Sequence, residues 1–196
     1  MTRVSVVSIE LLLDEVSETF VRAEWQALAA AGLSSMAAHT APSNRPHVTL
    51  LVREQLAVLD PTALAERPAF EVRLGAPLLF GSGDRRVLVR SVIPSAELLA
   101  LHDDVHRSAG PGDDAPHTLP GAWTPHVTLA RRVRLQDLER ALRSSAARSP
   151  ARRGRCADGM PPRAPSPSSP DWADRAARPR RASLLCLPRA FGRTGL

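Results

Sequence analysis

The octapeptide PHVTLLVR at residues 46–53 recurs as PHVTLARR at residues 125–132, and this repeat decides how the chain is interpreted. Six of the eight aligned positions are identical, and the two copies begin 79 residues apart. Each copy is rich in β-branched and apolar residues, so each predicts a strand. A repeated strand at this separation indicates two equivalent halves that face each other across a pseudo-twofold axis.

Within each copy a histidine and a threonine lie two positions apart, and alternate residues of a strand point to the same face. His47 and Thr49 therefore project together, as do His126 and Thr128. Imidazole gives or takes a proton near pH 7, and threonine hydroxyls donate hydrogen bonds to phosphate oxygens. A nearby arginine would add a bidentate phosphate contact. Two such strands side by side predict acid–base chemistry at a phosphodiester, with no metal and no cofactor.

The segments around the repeat alternate strand signals with helix signals, which indicates the α+β class. The predicted strands are Val4–Leu13, a segment around His47–Val52, Phe70–Leu74, a hairpin of Leu78–Phe80 with Val87–Val92, and His126–Ala130. Three helices are predicted. The first begins after the N-cap Asp14 and ends at Gly32, the second runs from Ser95 to Ala109, and the third covers Leu135–Leu142.

The chain changes character at about Arg143, which predicts a domain over residues 1–143 and an Arg/Pro-rich, disordered tail over residues 144–196. Residues 1–143 carry 15 Arg against 17 acidic residues, a formal charge of −2, whereas the tail carries 11 Arg against 3 Asp, a formal charge of +8. The net charge of +6 therefore says little about what the domain binds. An equal alternative is that the tail is an out-of-frame translation of a GC-rich gene, since the chain contains no Lys and no Tyr.

Composition also narrows the class of protein. Hydrophobic residues make up 43% of the chain, yet no apolar run approaches the roughly 18 residues that span a bilayer. The N-terminal segment lacks the features of a signal peptide. Two cysteines, Cys156 and Cys186, are too few for a disulfide scaffold or a zinc site of their own. These observations predict a cytoplasmic protein without a membrane partner, and a monomer is the default.

The two HxT strands, with a strand and a helix before the first, resemble the 2H phosphoesterase superfamily over residues 3–143. The closest likeness is to its 2′-5′ RNA ligase and cyclic phosphodiesterase branch. The resemblance implies a bilobal fold in which two antiparallel sheets flank a central cleft and the helices lie outside. Family members continue past the second motif with a helix and further strands that complete the sheets, whereas this chain has the Arg/Pro-rich tail there.

The same resemblance implies that His47 and His126 are the catalytic pair, that Thr49 and Thr128 bind the phosphate oxygens, and that Arg131 contacts the phosphate. For hydrolysis we expect His126 to act as the base that activates water and His47 as the acid at the leaving oxygen. The reverse reaction requires the opposite roles, so the assignment depends on the reaction.

The predicted function is hydrolysis of a 2′,3′-cyclic phosphate on a nucleotide or an RNA end. One alternative is 2′-5′ RNA ligation, in which an RNA 5′-hydroxyl replaces water. Another is a nucleotide- or RNA-binding module with little turnover. A third is that the arginines of the tail bind nucleic acid, which would make binding steeply salt-dependent.

The other histidines carry weaker signals. His102 and His106 have the i, i+4 spacing of zinc ligands, but Asp103 replaces the glutamate of the metalloprotease motif, so a solvated helix face is the favoured interpretation. His39 and His117 lie in predicted loops and carry no signal.

Two tryptophans and two arginines have a structural interpretation, and three of these four residues also have a functional one. Trp25 is predicted to pack on the sheet. Trp123 either lines the cleft or packs, and packing is favoured because aromatic residues mostly fill cores. Arg45 and Arg53 flank the first motif, where they either assist phosphate binding or lie exposed at the ends of the strand.

Overall fold

The computed structural model of the chain describes residues 6–56, 70–146 and 183–187. These residues form six strands and three α-helices, with short 3₁₀ turns at Met36–Ala38, Pro116–Thr118 and Leu135–Asp137. The elements in chain order are β1 (Val7–Leu12), α1 (Glu15–Ala30), β2 (His47–Arg53), β3 (Leu74–Phe80), β4 (Arg85–Val92), α2 (Ala96–Ala109), β5 (His126–Arg134), α3 (Leu138–Ala146) and β6 (Ser183–Leu187). The predicted α+β class is confirmed.

The six strands belong to one antiparallel sheet in the order β3-β4-β5-β2-β1-β6, so the predicted pair of separate sheets is not confirmed. The reason lies where the two copies of the repeat meet. β2 and β5 pair at a single position, Val48 with Val127, which are equivalent residues of the two copies. The pseudo-twofold axis therefore passes between these valines and divides the described sheet into two three-stranded halves, each containing one HxT motif.

The first two helices begin and end close to where the sequence predicts. The Asp14 side chain accepts a hydrogen bond from the backbone N–H of Ser17 at 2.9 Å, which caps α1. Ser95 caps α2 in the same way, and Gly110, with φ of +64°, ends it. α1 packs against β5 and α3, and α2 packs against β2. None of these helices, within the described part of the chain, is long and apolar enough to cross a bilayer.

Two predicted boundaries differ from the structure. β3 begins only at Leu74, although alternation predicts a strand from Phe70, because its partner β4 ends at Val92, opposite Leu74. Beyond this pair the backbone N–H of Ile93 still donates to the Arg73 carbonyl at 2.8 Å, but Ile93 lies outside β4, so the ladder ends there. The helix predicted over Leu135–Leu142 begins with a 3₁₀ turn and continues as α3 to Ala146.

Ser183–Leu187, within the segment predicted to be a disordered tail, form β6. Its backbone pairs antiparallel with β1, from Ser8 opposite Leu187 to Leu12 opposite Ser183. Without β6 the outer side of β1 would be an open sheet edge, and such an edge accepts another strand readily. Residues 147–182 and 188–196 lie outside the described residues, so the domain boundary at residue 143 and the out-of-frame origin of the tail stay predictions.

Candidate active site

A cavity of about 220 Å³ lies where β2 meets β5, and the structure brings all five residues singled out by the sequence to its wall. These residues are His47, Thr49, His126, Thr128 and Arg131. Glu10, His117 and Trp123 are among the other residues that line it. The HxT side chains share a face of the sheet, as strand alternation predicts.

The position of Arg131 depends on a β-bulge. Strict alternation would send a residue five places after His126 to the opposite face. The pairing of β5 with β4 skips Leu129, and the pairing of β2 with β1 skips Leu50, which is the equivalent residue of the other copy. Each bulge shifts the alternation by one residue. Arg131 therefore lines the cavity, and so does Val52, its equivalent in β2.

Two tryptophans satisfy backbone groups beside the bulges. The indole Nε1–H of Trp25, on α1, donates to the Thr128 carbonyl at 2.9 Å. The indole Nε1–H of Trp123, in the loop before β5, donates to the Thr49 carbonyl at 2.9 Å. Each indole thus joins one half of the molecule to the threonine of the other half. The predicted packing of Trp25 is confirmed, and Trp123 both packs against the core and lines the cavity.

The two imidazoles are held in the same way. His47 Nδ1 lies 2.6 Å from the Arg45 carbonyl, and His126 Nδ1 lies 2.7 Å from the Thr124 carbonyl. A carbonyl oxygen only accepts hydrogen bonds, so each Nδ1 carries a proton and donates it. Nε2 is thereby the ring nitrogen that neither histidine uses for this bond to the backbone.

The surroundings of His126 favour its neutral form. Burial lowers the pKa of His126, and the nearby His117, His47 and Arg131 lower it further, although the Thr124 carbonyl acts in the opposite direction. The Phe80 ring packs edge-on against the imidazole, with ring centroids 4.8 Å apart. A neutral imidazole that carries its proton at Nδ1 has its lone pair at Nε2, where it is suited to accept a proton.

His47 has a carboxylate beside it instead. Glu10, on β1, is only 1% exposed, and its Oε1 lies 3.5 Å from His47 Nε2. The Ser8 hydroxyl donates to the same oxygen at 3.0 Å. Sequence reasoning missed Glu10, although a lone acidic residue within the apolar run of β1 was a signal that could have found it.

His117 also lines the cavity, contrary to the expectation that it carries no signal. It lies in the 3₁₀ turn Pro116–Thr118, which is anchored by hydrogen bonds of Thr118 to the Ala115 carbonyl. Nothing local in the sequence marks this histidine, because its place in the cavity depends on how the loop folds over β2.

A second cavity, of about 590 Å³, adjoins the first on the side of β4. It shares four wall residues with the first cavity, and its other walls are largely apolar. The shared residues are His117, His126, Thr128 and Arg131, and the others are Phe80, Val87, Ala122 and Thr124.

The predicted solvated face of α2 is wrong for His102, which is 2% exposed. Its ring stacks on Trp123, with centroids 3.9 Å apart and planes 2° apart, and its Nε2 contacts the Thr118 carbonyl at 2.9 Å. Burial lowers the pKa of His102. His106 Nδ1 lies 3.0 Å from Asp114 Oδ2. These contacts arise because the loop after α2 folds back over the helix. The described residues contain no cluster of three or more His, Cys, Asp or Glu arranged to hold a metal ion.

Neither arginine beside the first motif is among the residues lining the two cavities. Arg45 pairs with Glu18 at 2.5 Å. Arg53 is 5% exposed; its Nε lies 2.7 Å from Asp114, and its guanidinium donates to carbonyls at the end of α2. Arg53 therefore holds α2 and the following loop, and the suggested role in phosphate binding receives no support.

The fold and the cavity define an α+β protein in which two HxT strands meet at one two-histidine site. The family model of the 2′-5′ RNA ligase superfamily matches residues 21–157, which is more than half of the chain and includes both motifs. The chain therefore belongs to the 2′-5′ RNA ligase superfamily, and the resemblance to 2H phosphoesterases is confirmed. A search among curated proteins finds no match.

Proposed function

We propose that the protein is a metal-independent phosphodiesterase that hydrolyses 2′,3′-cyclic phosphates of nucleotides or RNA ends. One observation carries this proposal: the pairing of Val48 with Val127 brings His47 and His126 to one cavity. The membership of the 2′-5′ RNA ligase superfamily supports a substrate of this kind.

In the proposed reaction, neutral His126 accepts a proton from water at Nε2 as the water oxygen forms a bond to phosphorus. The bond from phosphorus to the 2′ or 3′ oxygen breaks, and His47 donates its Nε2 proton to that leaving oxygen. The product is a phosphomonoester, and proton exchange with solvent restores both rings. Thr49 and Thr128 donate hydrogen bonds to the phosphate oxygens, and Arg131 adds a charged contact.

The second cavity supports a nucleoside as the rest of the substrate. Phe80, Val87 and Ala122 form its apolar wall, and His126 lines the same cavity. Aromatic and apolar side chains bind nucleobases by stacking and by burying apolar area. A cyclic phosphate between the histidines thus leaves room for the attached base beside Phe80.

The second candidate function is 2′-5′ RNA ligation, which the description of the family favours. An RNA 5′-hydroxyl would take the place of water and lose its proton to the same base. The two reactions need the same residues, so only the products distinguish them.

The test is hydrolysis of the four nucleoside 2′,3′-cyclic monophosphates in EDTA by the wild type, His47→Ala, His126→Ala and the control His39→Ala. His39 is exposed and outside the cavity. We expect kcat to fall about 10²- to 10⁴-fold in the two cavity variants and to stay unchanged in the control. The acidic limb of kcat/KM is expected below pH 6.5, because the pKa of the base His126 is lowered from that value.

Unchanged turnover in either cavity variant would refute the two-histidine mechanism. Nucleotide binding by the wild type without turnover would favour the binding module. Joining of a 5′-hydroxyl RNA to a cyclic-phosphate RNA by the wild type would favour the ligase.

A further inference from the structure

The pseudo-twofold symmetry of the site is broken by charge. Glu10 of β1 lies opposite Thr49, and the equivalent residue opposite Thr128 is Val89 of β4. The residue five places after the histidine is Val52 in the first copy and Arg131 in the second. One half of the cavity therefore carries a carboxylate and the other a guanidinium, at positions where the partner half has valine.

The carboxylate lies on the side of His47. Its Oε1 is 3.5 Å from His47 Nε2, and the Ser8 hydroxyl holds the same oxygen at 3.0 Å. Both side chains are largely buried, with 13% of His47 and 2% of Glu10 exposed. A buried carboxylate at this distance stabilises the imidazolium form over the neutral form.

A carboxylate in this place needs an explanation, because it repels the phosphate that the cavity is proposed to bind. Coulomb repulsion is stronger in a partly buried site than at the protein surface, because water screens it less there. Pairing with an imidazolium removes most of that repulsion and supplies the proton that the leaving oxygen requires.

We propose that Glu10 is a positioning residue that keeps His47 protonated at Nε2 and so assigns the acid role to His47 and the base role to His126. This inference rests on the proposed function, since two identical HxT motifs alone do not distinguish the two roles.

The charged and titratable groups that line the cavity together with His47 come from three elements of the described structure. β1 contributes Glu10, β5 contributes His126 and Arg131, and the turn Pro116–Thr118 contributes His117. Glu10 is the acidic side chain in this set, whereas Arg131 lies on β5, the strand that carries His126. The distribution favours a proton on His47 over one on His126.

The first measurement is an NMR titration of the histidine rings of the intact wild-type protein, which needs no substrate. We expect the titration midpoint of His47 to lie above that of His126. A midpoint of His47 at or below that of His126 would overturn the proposal. Because this measurement uses only the wild type, a misfolded variant cannot be the cause of such a result.

The second measurement repeats the titration in Glu10→Gln, with Glu15→Gln as the matched control because Glu15 is exposed on α1. We expect the His47 midpoint to fall by about one pH unit in Glu10→Gln, and to fall more than that of His126. Neither midpoint should move in the control. An unchanged His47 midpoint in folded Glu10→Gln, or equal shifts of both histidines, would contradict the proposal.

Kinetics separate this inference from the proposed function. If the wild type hydrolyses cyclic phosphates, the alkaline limb of kcat should move to lower pH in Glu10→Gln and stay in place in Glu10→Asp. A loss of kcat without movement of that limb would mean that Glu10 is only structural. If the wild type shows no turnover, the proposed function fails, whereas the titrations still decide the role of Glu10.

Discussion

Arg131 is the residue whose role depends most directly on the bulge after Thr128. Its side chain lines both cavities and lies near the proposed phosphate position. We expect Arg131→Ala to lower kcat/KM for a cyclic nucleotide about 10- to 100-fold, since a hydrogen bond from a charged group contributes about 1.5–3 kcal/mol. Steady-state kinetics with the cyclic nucleotide provides the measurement.

Arg134→Ala is the matched control for this change. Arg134 is the last residue of β5 and is exposed. The Arg134→Ala substitution removes the same charge as Arg131→Ala, so a general effect of net charge would appear in both variants. Equal losses in the two variants would show that Arg131 has no specific contact with the substrate.

At the scale of elements, each of the two bulges occurs together with one indole hydrogen bond. The ladder is interrupted after each threonine, and an indole N–H from the other half satisfies the threonine carbonyl. Each bulge turns the side chains that follow it towards the cavity, and the indole N–H keeps the threonine carbonyl hydrogen-bonded.

Replacing either indole with a phenyl ring tests this account. Trp25→Phe and Trp123→Phe each keep an aromatic ring but remove the N–H that reaches Thr128 or Thr49. We expect the free energy of unfolding to fall by about 1–3 kcal/mol in each variant, because a partly buried carbonyl loses its donor. Urea denaturation followed by circular dichroism measures the change, and unaltered stability in both variants would show that the indole bonds contribute nothing.

For the whole molecule, β6 closes a sheet whose other described strands come from residues 7–134. It covers the outer side of β1, the strand that also carries Glu10. We expect truncation before Ser183 to lower the urea midpoint and to promote self-association, because the exposed edge of β1 can pair with another chain. Truncation after Leu187 keeps β6 and is the control. Denaturation and light scattering would detect the difference, and identical behaviour of the two truncations would show that β6 does not stabilise the sheet.

The sequence alone was sufficient for much of the fold and for the centre of the site. The repeat predicted β2 and β5 and the shared face of each histidine with its threonine, and capping residues such as Asp14 and Ser95 predicted where helices begin. These features are local, since strand alternation and capping involve residues only a few positions apart.

Only the tertiary structure decided the features that need a distant partner. The single sheet depends on the pairing of Val48 with Val127, and the face of Arg131 depends on a bulge against β4. Burial of His102 depends on a loop that folds back over α2, and Glu10 reaches His47 only because β1 pairs with β2. Periodicity within a segment specifies which side chains point together, but register, bulges and loop placement are set by hydrogen bonds and packing between segments far apart in the chain.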